Sequence, residues 1–447
     1  MKKKKAVITI VGTIGGDKKA EYVSKIPQIE RTEDINTLPI LIKTFSKDYE
    51  IVALHTDKAK TIQEEVIKSD DKIDNFVFKD EWKIADDTEF DEIFSKIDTL
   101  ISSYDKVIID VSHGFRHLPI LMMVDVIIHN IGNTDKIEMI LFAKEIEKTK
   151  KYEFIDLKRY LDLANIAYVL NTFEKNYTVA NNVNVRDKDF QKLLDDLSKF
   201  SEHILSNSLD ELLRSKDNLV EKILYRIDRL LKQDDKNIFK NINRLLTNTK
   251  NHLEYFISLK NKKNYEMLFY IAKEMYKRGY LLNSITLLSE ALGMYCTWGL
   301  KKIDPKVKEK IEEYEKRAIK QKNKWMDFSL YELYNQAKVF YRRDNKAKDR
   351  RDNENEYKFL IVKKDKEWNN TIKNEIKPII EKNNLFNKKI DDLYFKCDVK
   401  IRNNLAHANT AKRLSDVKKE IKNVIDQFER YCIIQDVLNV NAIANNH

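Results

Sequence analysis

The sequence predicts an α/β sheet domain followed by an all-helical half. Three observations carry that prediction: β-branched apolar runs alternate with helical patterns as far as residue 156, no such run recurs afterwards, and only 8 glycines and 5 prolines occur in 447 residues. Strands alternating with helices imply a doubly wound, mostly parallel, Rossmann-like sheet. Scarce Gly and Pro favour long helices and argue against an all-β sandwich, which needs frequent turn residues. A chain of this length holds two or three domains. The patterns divide it into a sheet domain at 1–156, a helical linker domain at 157–260 and a second helical domain at 261–447.

Taken in order, Ala6 to Val11 is an almost unbroken apolar run, the pattern of a parallel strand covered on both faces. The loop Gly12-Thr13-Ile14-Gly15-Gly16 follows it. The spacing then predicts a helix from Glu33 to Phe45, a strand from Glu50 to His55, and helices from Ala59 to Lys68 and Phe90 to Ile101. A third strand, Lys106 to Val111, runs into Ser112-His113-Gly114-Phe115-Arg116-His117-Leu118-Pro119 and an apolar helix from Ile120 to Ile128. Ile137 to Phe142 is the last strong strand, with Tyr152 to Ile155 a short extra one.

Beyond residue 156 apolar residues recur at three and four, the stripe of one-sided helices. Helices are expected from Leu157 to Phe173, Asp189 to Leu213, Leu219 to Leu231 and Ile238 to Leu259, with a loop at Asn181 to Asn184. Two apolar stripes between Tyr265 and Trp298 predict a pair of antiparallel helices that meet at Gly279. Ser289 and Glu290 fall between apolar positions of the second stripe and either are solvated, the simpler expectation, or face a groove. Pro305 opens another charged helix, Ser329 to Phe340 a further one, and the mixed-charge run Arg342 to Lys358 reads as a solvated loop. Helices resume near Asp365, and Ile390 to His407 and Leu414 to Leu438 complete the chain.

Composition limits the function classes. Apolar residues at 42% and charged residues at 34% describe a globular chain with a heavily charged surface. A net charge of +10, from 82 basic and 72 acidic residues, permits a nucleic-acid partner without demanding one. Cys296, Cys397 and Cys432 are far apart and form no CxxC spacing, which fits a reducing cytosol and offers no zinc site. The apolar run after Lys2 to Lys5 is short and ends in glycines and Asp17, unlike a signal peptide. No stretch is long enough to span a bilayer, so a cytoplasmic protein without membrane contact is expected.

Parallel sheets bind ligands at the carboxyl ends of their strands. The loops Gly12 to Gly16 and Ser112 to Arg116 lie there and offer what an anionic ligand needs: open backbone amides, hydroxyls from Thr13 or Ser112, and Arg116 beside a helix start. The glycine loop is not G-x-G-x-x-G and no Walker lysine is present, which argues against an ordinary dinucleotide or ATP site. Alternatively the glycines make tight turns, and His113 and Arg116 cap a helix or pair with Asp110.

Near the far end, Arg402 and His407 enclose Asn403-Asn404-Leu405-Ala406 inside a helical pattern. Arginine matches phosphate geometry, and histidine moves protons near neutral pH. Together they suit metal-free RNA cleavage: a 2'-hydroxyl attacks its neighbouring phosphate to leave a 2',3'-cyclic phosphate and a free 5'-hydroxyl. Arg402 would neutralise charge on the phosphate, His407 would transfer the proton, and Asn403 would orient either one. Residues five apart on an ideal helix point about 140° away from each other. The pair therefore suits a groove completed by a second copy of the chain. The alternative is a surface asparagine, an ion-paired arginine and a histidine capping the helix.

Both halves together resemble the CRISPR-associated CARF-HEPN ribonucleases of type III systems. Arg402-Asn403-Asn404-Leu405-Ala406-His407 matches the R-x-x-x-x-H signature of HEPN nucleases. Asp110 to Pro119 is similar to the segment after a central CARF strand, and Gly12-Thr13-Ile14-Gly15 to the loop after the first. The resemblance implies an α/β Rossmann-like CARF domain, a helical linker and an all-α HEPN domain. It also implies a homodimeric endoribonuclease for single-stranded RNA, without metal or cofactor, activated by a cyclic oligoadenylate. Gly12, Thr13, Ile14, Ser112, His113, Gly114 and Arg116 would contact the ring. Cyclic tetra-adenylate is the expected activator and cyclic hexa-adenylate the second choice. A competing reading keeps the nucleotide sensor and makes the helical half a binding or regulatory module without catalysis. A metal-dependent nuclease is disfavoured, as no clustered acidic and histidine ligands are visible in the sequence.

Overall fold

The first apolar run forms β1 (Lys5–Ile10), flanked in parallel by β4 (Glu50–Leu54) on one side and β5 (Lys106–Asp110) on the other. In the computed structural model, residues 4–16, 18–84, 90–113, 117–146, 150–179, 183–215, 217–232, 242–320, 329–342, 370–383, 385–407 and 412–439 are described. The chain forms two compact units, Met1–Ser201 with Ile223–Lys250, and Glu202–Lys222 with Asn251–His447. The helices of 157–260 are thus shared between the units.

The first unit is built on a seven-stranded mixed sheet in the order β3-β2-β7-β6-β5-β1-β4, where β2 is Ala20–Ser24, β3 Thr32–Asp34, β6 Ile137–Ile146 and β7 Lys151–Asp156. β6 joins β5 in parallel, β7 turns back antiparallel to β6, β2 runs parallel to β7, and β3 is antiparallel to β2. The apolar runs are continuous because both faces are covered. Ile8 and Ile10 pack with Ile93, Ile97 and Ile101 of α3 (Phe90–Ser103) and Met122 and Val126 of α4 (His117–Gly132). Val7 faces the other way, toward Leu38, Leu41 and Phe45 of α1 (Thr37–Phe45) and Ala59 of α2 (Asp57–Lys68).

The expected helix from Glu33 begins only at Thr37. Glu33 and Asp34 belong to β3, and Asn36 caps α1 by accepting the Leu38 amide at 3.0 Å. β2 and β3 escaped the sequence reading because β2 is short with a single buried residue and β3 is a three-residue charged edge strand, so neither carries an apolar run.

Helices α5 (Lys158–Asn176), α6 (Lys188–Leu205), α7 (Leu219–Leu231) and α8 (Asn243–Ser258) follow the sheet. The helix expected to run from Asp189 to Leu213 stops at Leu205, Asn207 adopts φ 57°, and a separate turn forms at Asp210–Arg214. Of the expected loops, Asn181 and Asn182 lie outside the described residues, as does Arg342 to Lys358 beyond Arg342 itself.

In the second unit α9 (Asn264–Lys277) and α10 (Leu281–Leu300) form the expected hairpin, broken at Gly279 with φ +83°. α11 (Pro305–Lys320) and α12 (Ser329–Val339) come next. α10 approaches α12 so closely that a Cβ at Gly293 would lie 2.7 Å from the Tyr334 carbonyl oxygen. The motif helix comprises Lys388–Tyr394, a widened π-helical stretch Phe395–Arg402, and a last turn Asn403–Ala406. The final helix runs through Leu414–Phe428 and a π-helical continuation Glu429–Ile434, with Phe428 stacked on Phe269 at 5.1 Å. Among the described residues, no helix is long and apolar enough to cross a membrane.

Candidate functional site

In the first unit β1 lies between β4 and β5, and the chain, once it has formed β2 and β3 at the far side of the sheet, passes from β4 on one side of β1 to β5 on the other. The carboxyl ends of β1 and β5 therefore flank a topological switch point, the usual crevice of an open α/β sheet. Asp110 ends β5 there, fully buried. Its carboxylate accepts from Thr9 Oγ1 at 2.8 Å, Thr37 Oγ1 at 3.2 Å, the Ser112 amide at 3.1 Å and the Ser112 hydroxyl at 2.5 Å. Four donors are what a buried carboxylate requires. Ser112 Oγ also accepts the Ala143 amide at 2.8 Å, so this hydroxyl is engaged on both sides.

The glycine loop is held by its carbonyls. Gln63 Nε2 donates to Gly12 O and Ile14 O, both at 2.9 Å, while Asn36 Nδ2 donates to Ile14 O at 3.0 Å and to Gln63 Oε1 at 2.8 Å. Among the described residues, none of the amides of Gly12 to Gly16 donates to a protein acceptor. A loop with its carbonyls tied inward and its amides unengaged is an anion-binding arrangement. Gly15 packs so tightly that a Cβ would come within 2.5 Å of Ile62 Cγ2.

His113 Nε2 accepts the Thr37 amide at 3.3 Å and so caps α1. Burial pushes the His113 pKa down, with Asp110 opposing, so the ring is neutral at pH 7 and offers no cation to a ligand. Of the seven residues expected to contact an effector, Gly12, Ile14 and His113 line a cleft at this switch point. Thr13 is exposed in the loop, and Ser112 is turned toward Asp110 and Ala143. Gly114 and Arg116 lie outside the described residues. Asn36 and Gln63 were missed. Asn36 was detectable as a residue fit to cap the helix, whereas Gln63 reads as an ordinary surface position of α2.

In the second unit the widened turn of the motif helix puts Cys397, Asp398 and Ile401 inward and leaves Asn403, Asn404 and His407 exposed. Such π-helical insertions are frequent at functional sites. Among the described residues, the Arg402 guanidinium bonds only Asn403 Oδ1, at 3.3 Å, and the His407 imidazole makes no hydrogen bond. The His407 amide closes the helix on Asn403 O at 3.1 Å.

One turn before Arg402, buried Asp398 accepts from Lys338 Nζ of α12 at 2.6 Å and from the Ser289 hydroxyl of α10, and Lys338 also reaches Ser289 Oγ at 3.1 Å. Ser289 is therefore buried rather than solvated. The bond it makes was invisible in the sequence because Asp398 is 109 positions away. Its neighbour Glu290 is mostly buried. Burial pushes the Glu290 carboxyl up to about 7, opposed by Lys338 and Arg402 and reinforced by Asp398. This leaves a carboxyl poised to exchange a proton near neutrality in the electrostatic neighbourhood of Arg402.

Residues that could hold a metal do come together, contrary to the sequence reading: Asp98 of α3 lies beside Asp125 and His129 of α4. This set belongs to the first unit, whereas Arg402 belongs to the second. No protein-family model matches the chain, and no curated protein matches it.

Proposed function

We propose that the chain is a CARF-HEPN-type endoribonuclease of type III CRISPR antiviral defence, which cleaves single-stranded RNA without metal when a cyclic oligoadenylate binds its sheet domain. The observation that carries this reading is that, among the described residues, the Arg402 guanidinium bonds only Asn403 Oδ1 and the His407 imidazole makes no hydrogen bond, both on one partly exposed helix end. A guanidinium with one weak neutral partner has donors to spare for a phosphate. In the reaction the O2'–P bond forms and the P–O5' bond breaks. His407 takes or returns the proton, Arg402 offsets the charge on the phosphate oxygens, and Asn403 orients the guanidinium it already bonds.

Two further observations support the reading. The inward-tied loop Gly12 to Gly16 presents its amides to an anionic ring phosphate. Ile120, Val124, Ile127, Ile128 and Ile131 form an exposed apolar stripe along α4, and a second copy of the chain is the occupant we assign to it. Cyclic tetra-adenylate is the proposed activator and cyclic hexa-adenylate the second choice. Labelled single-stranded RNA incubated in chelator with each ring in turn tests the proposal. Activator-dependent cleavage to 2',3'-cyclic phosphate ends is expected. If the rings bind but no RNA is cut, the non-catalytic sensor reading replaces this one.

A further inference from the structure

α3 and α4 pack side by side over one face of the sheet, and at their contact three ligand-capable side chains converge. His129 Nε2 lies 2.8 Å from Asp98 Oδ1 and 3.7 Å from Asp125 Oδ2. The three donor atoms all lie within 4.8 Å of one another. Ligands held about 2.0 Å from a tetrahedral zinc ion stand roughly 3.3 Å apart, a spacing that the two observed distances bracket.

Asp125 supplies an independent indication. It is 1% exposed, and its Oδ2, the oxygen aimed at His129, has no hydrogen-bond partner. Buried carboxylate oxygens are costly unless a donor or a cation meets them. Here His129 Nε2 stands 3.7 Å away and bonds Asp98 Oδ1 instead, and the second carboxylate, Asp98, adds charge of the same sign. Two carboxylates and one imidazole neutralise a divalent cation and leave one position for water. Asp98 is the exposed member, so the cation has a path from solvent.

We propose that Asp98, Asp125 and His129 form a binding site for one divalent transition cation, with zinc the best match to the donor set. The imidazole favours zinc over magnesium, calcium and manganese, which suit oxygen ligands better. The cation pins α3 to α4. Asp125 and His129 share one side of α4, while Ile127 and Ile131, each two positions further on at about 100° per residue, lie on the other. The site therefore stiffens the helix that carries the apolar stripe without occupying that stripe.

The test uses the full chain, stripped with chelator and passed over a desalting column after exposure to zinc, manganese or magnesium chloride, with bound metal counted by mass spectrometry. One zinc per chain is expected, with affinity at least tenfold lower in Asp98→Asn and His129→Ala and unchanged in Arg402→Ala. Zinc should raise the unfolding midpoint of the parent protein and of Arg402→Ala, but not of the two ligand variants. Asp98 is exposed, so its variant keeps the fold even if His129→Ala does not. Failure of the parent to retain zinc, or equal retention by Asp98→Asn, overturns the proposal, as does a preference for magnesium.

Discussion

Lys338 Nζ meets Asp398 Oδ2 at 2.6 Å in the interior of the helical unit, with the two side chains 2% and 11% exposed, four residues before Arg402. Burial acts to lower the pKa of the Lys338 ammonium, but the Asp398 carboxylate more than offsets it and holds the group above its ordinary value. The pair fixes the inward face of the turn whose outward end carries Arg402. Removing one partner strands the other charge. Lys338→Met or Asp398→Asn alone should cost about 3–5 kcal/mol, while Lys338→Met with Asp398→Leu should recover most of that loss. Urea unfolding of the three variants measures it. Because folding raises the Lys338 pKa, the contribution is fully present below the ordinary lysine value and is lost as pH rises through the folded one.

Glu290 has a pH signature of the same sign in a lower window. Its carboxyl is pushed up to about 7 from an ordinary 4.5, chiefly by burial. Between those values the folded chain keeps a proton that the unfolded chain releases, so this group's contribution to stability falls as pH rises through that window. Glu290→Gln should flatten the dependence and unfold at higher denaturant than the parent at pH 8. Denaturation midpoints at pH 4, 6 and 8 check this.

Arg402→Ala and His407→Ala should each lower activated RNA cleavage by at least about 100-fold. Surface positions away from packed features change stability by about 0.5 kcal/mol or less. Unfolding midpoints should therefore stay within that range while cleavage, read on gels of end-labelled RNA, is lost. Cleavage that survives His407→Ala would remove the assignment.

Ile131→Asp places a charge in the apolar stripe of α4, where Ile131 is 61% exposed. Analytical ultracentrifugation should show a dimer for the parent and a monomer for the variant, because burying an unpaired carboxylate at an interface is strongly unfavourable. Cleavage should fall with the loss of the dimer, since the proposed nuclease groove draws on two copies of Arg402 and His407. A monomeric parent would count against the assigned occupant.

Much of the framework was legible along the chain. The runs at Ala6 to Val11 and Lys106 to Val111 became β1 and β5, and Gly279 became the break between α9 and α10. Covered strands and one-sided helices write their periodicity into neighbouring residues. β2 and β3 did not, because these short strands bury too few residues to impose a pattern, and the charged residues of β3 led to an early helix start at Glu33. At the switch point the sequence marked the glycine loop, Ser112 and His113, but it did not show that the Ser112 hydroxyl joins Asp110 to the Ala143 amide.

By itself, then, the sequence determined the succession of sheet and helices, the positions of the two candidate loops, and the helix end bearing Arg402 and His407. All of these depend on spacings of a few residues. Only the tertiary structure decided that Asn36 and Gln63 clasp the glycine loop, that Ser289, Lys338 and Asp398 share a buried knot, and that Asp98 faces Asp125 and His129. Those partners lie 22 to 109 positions apart, and a polar side chain's role depends on what burial brings opposite it. Local pattern shows that a residue is polar. The surrounding helices determine whether it is solvated, structural or free to meet a ligand.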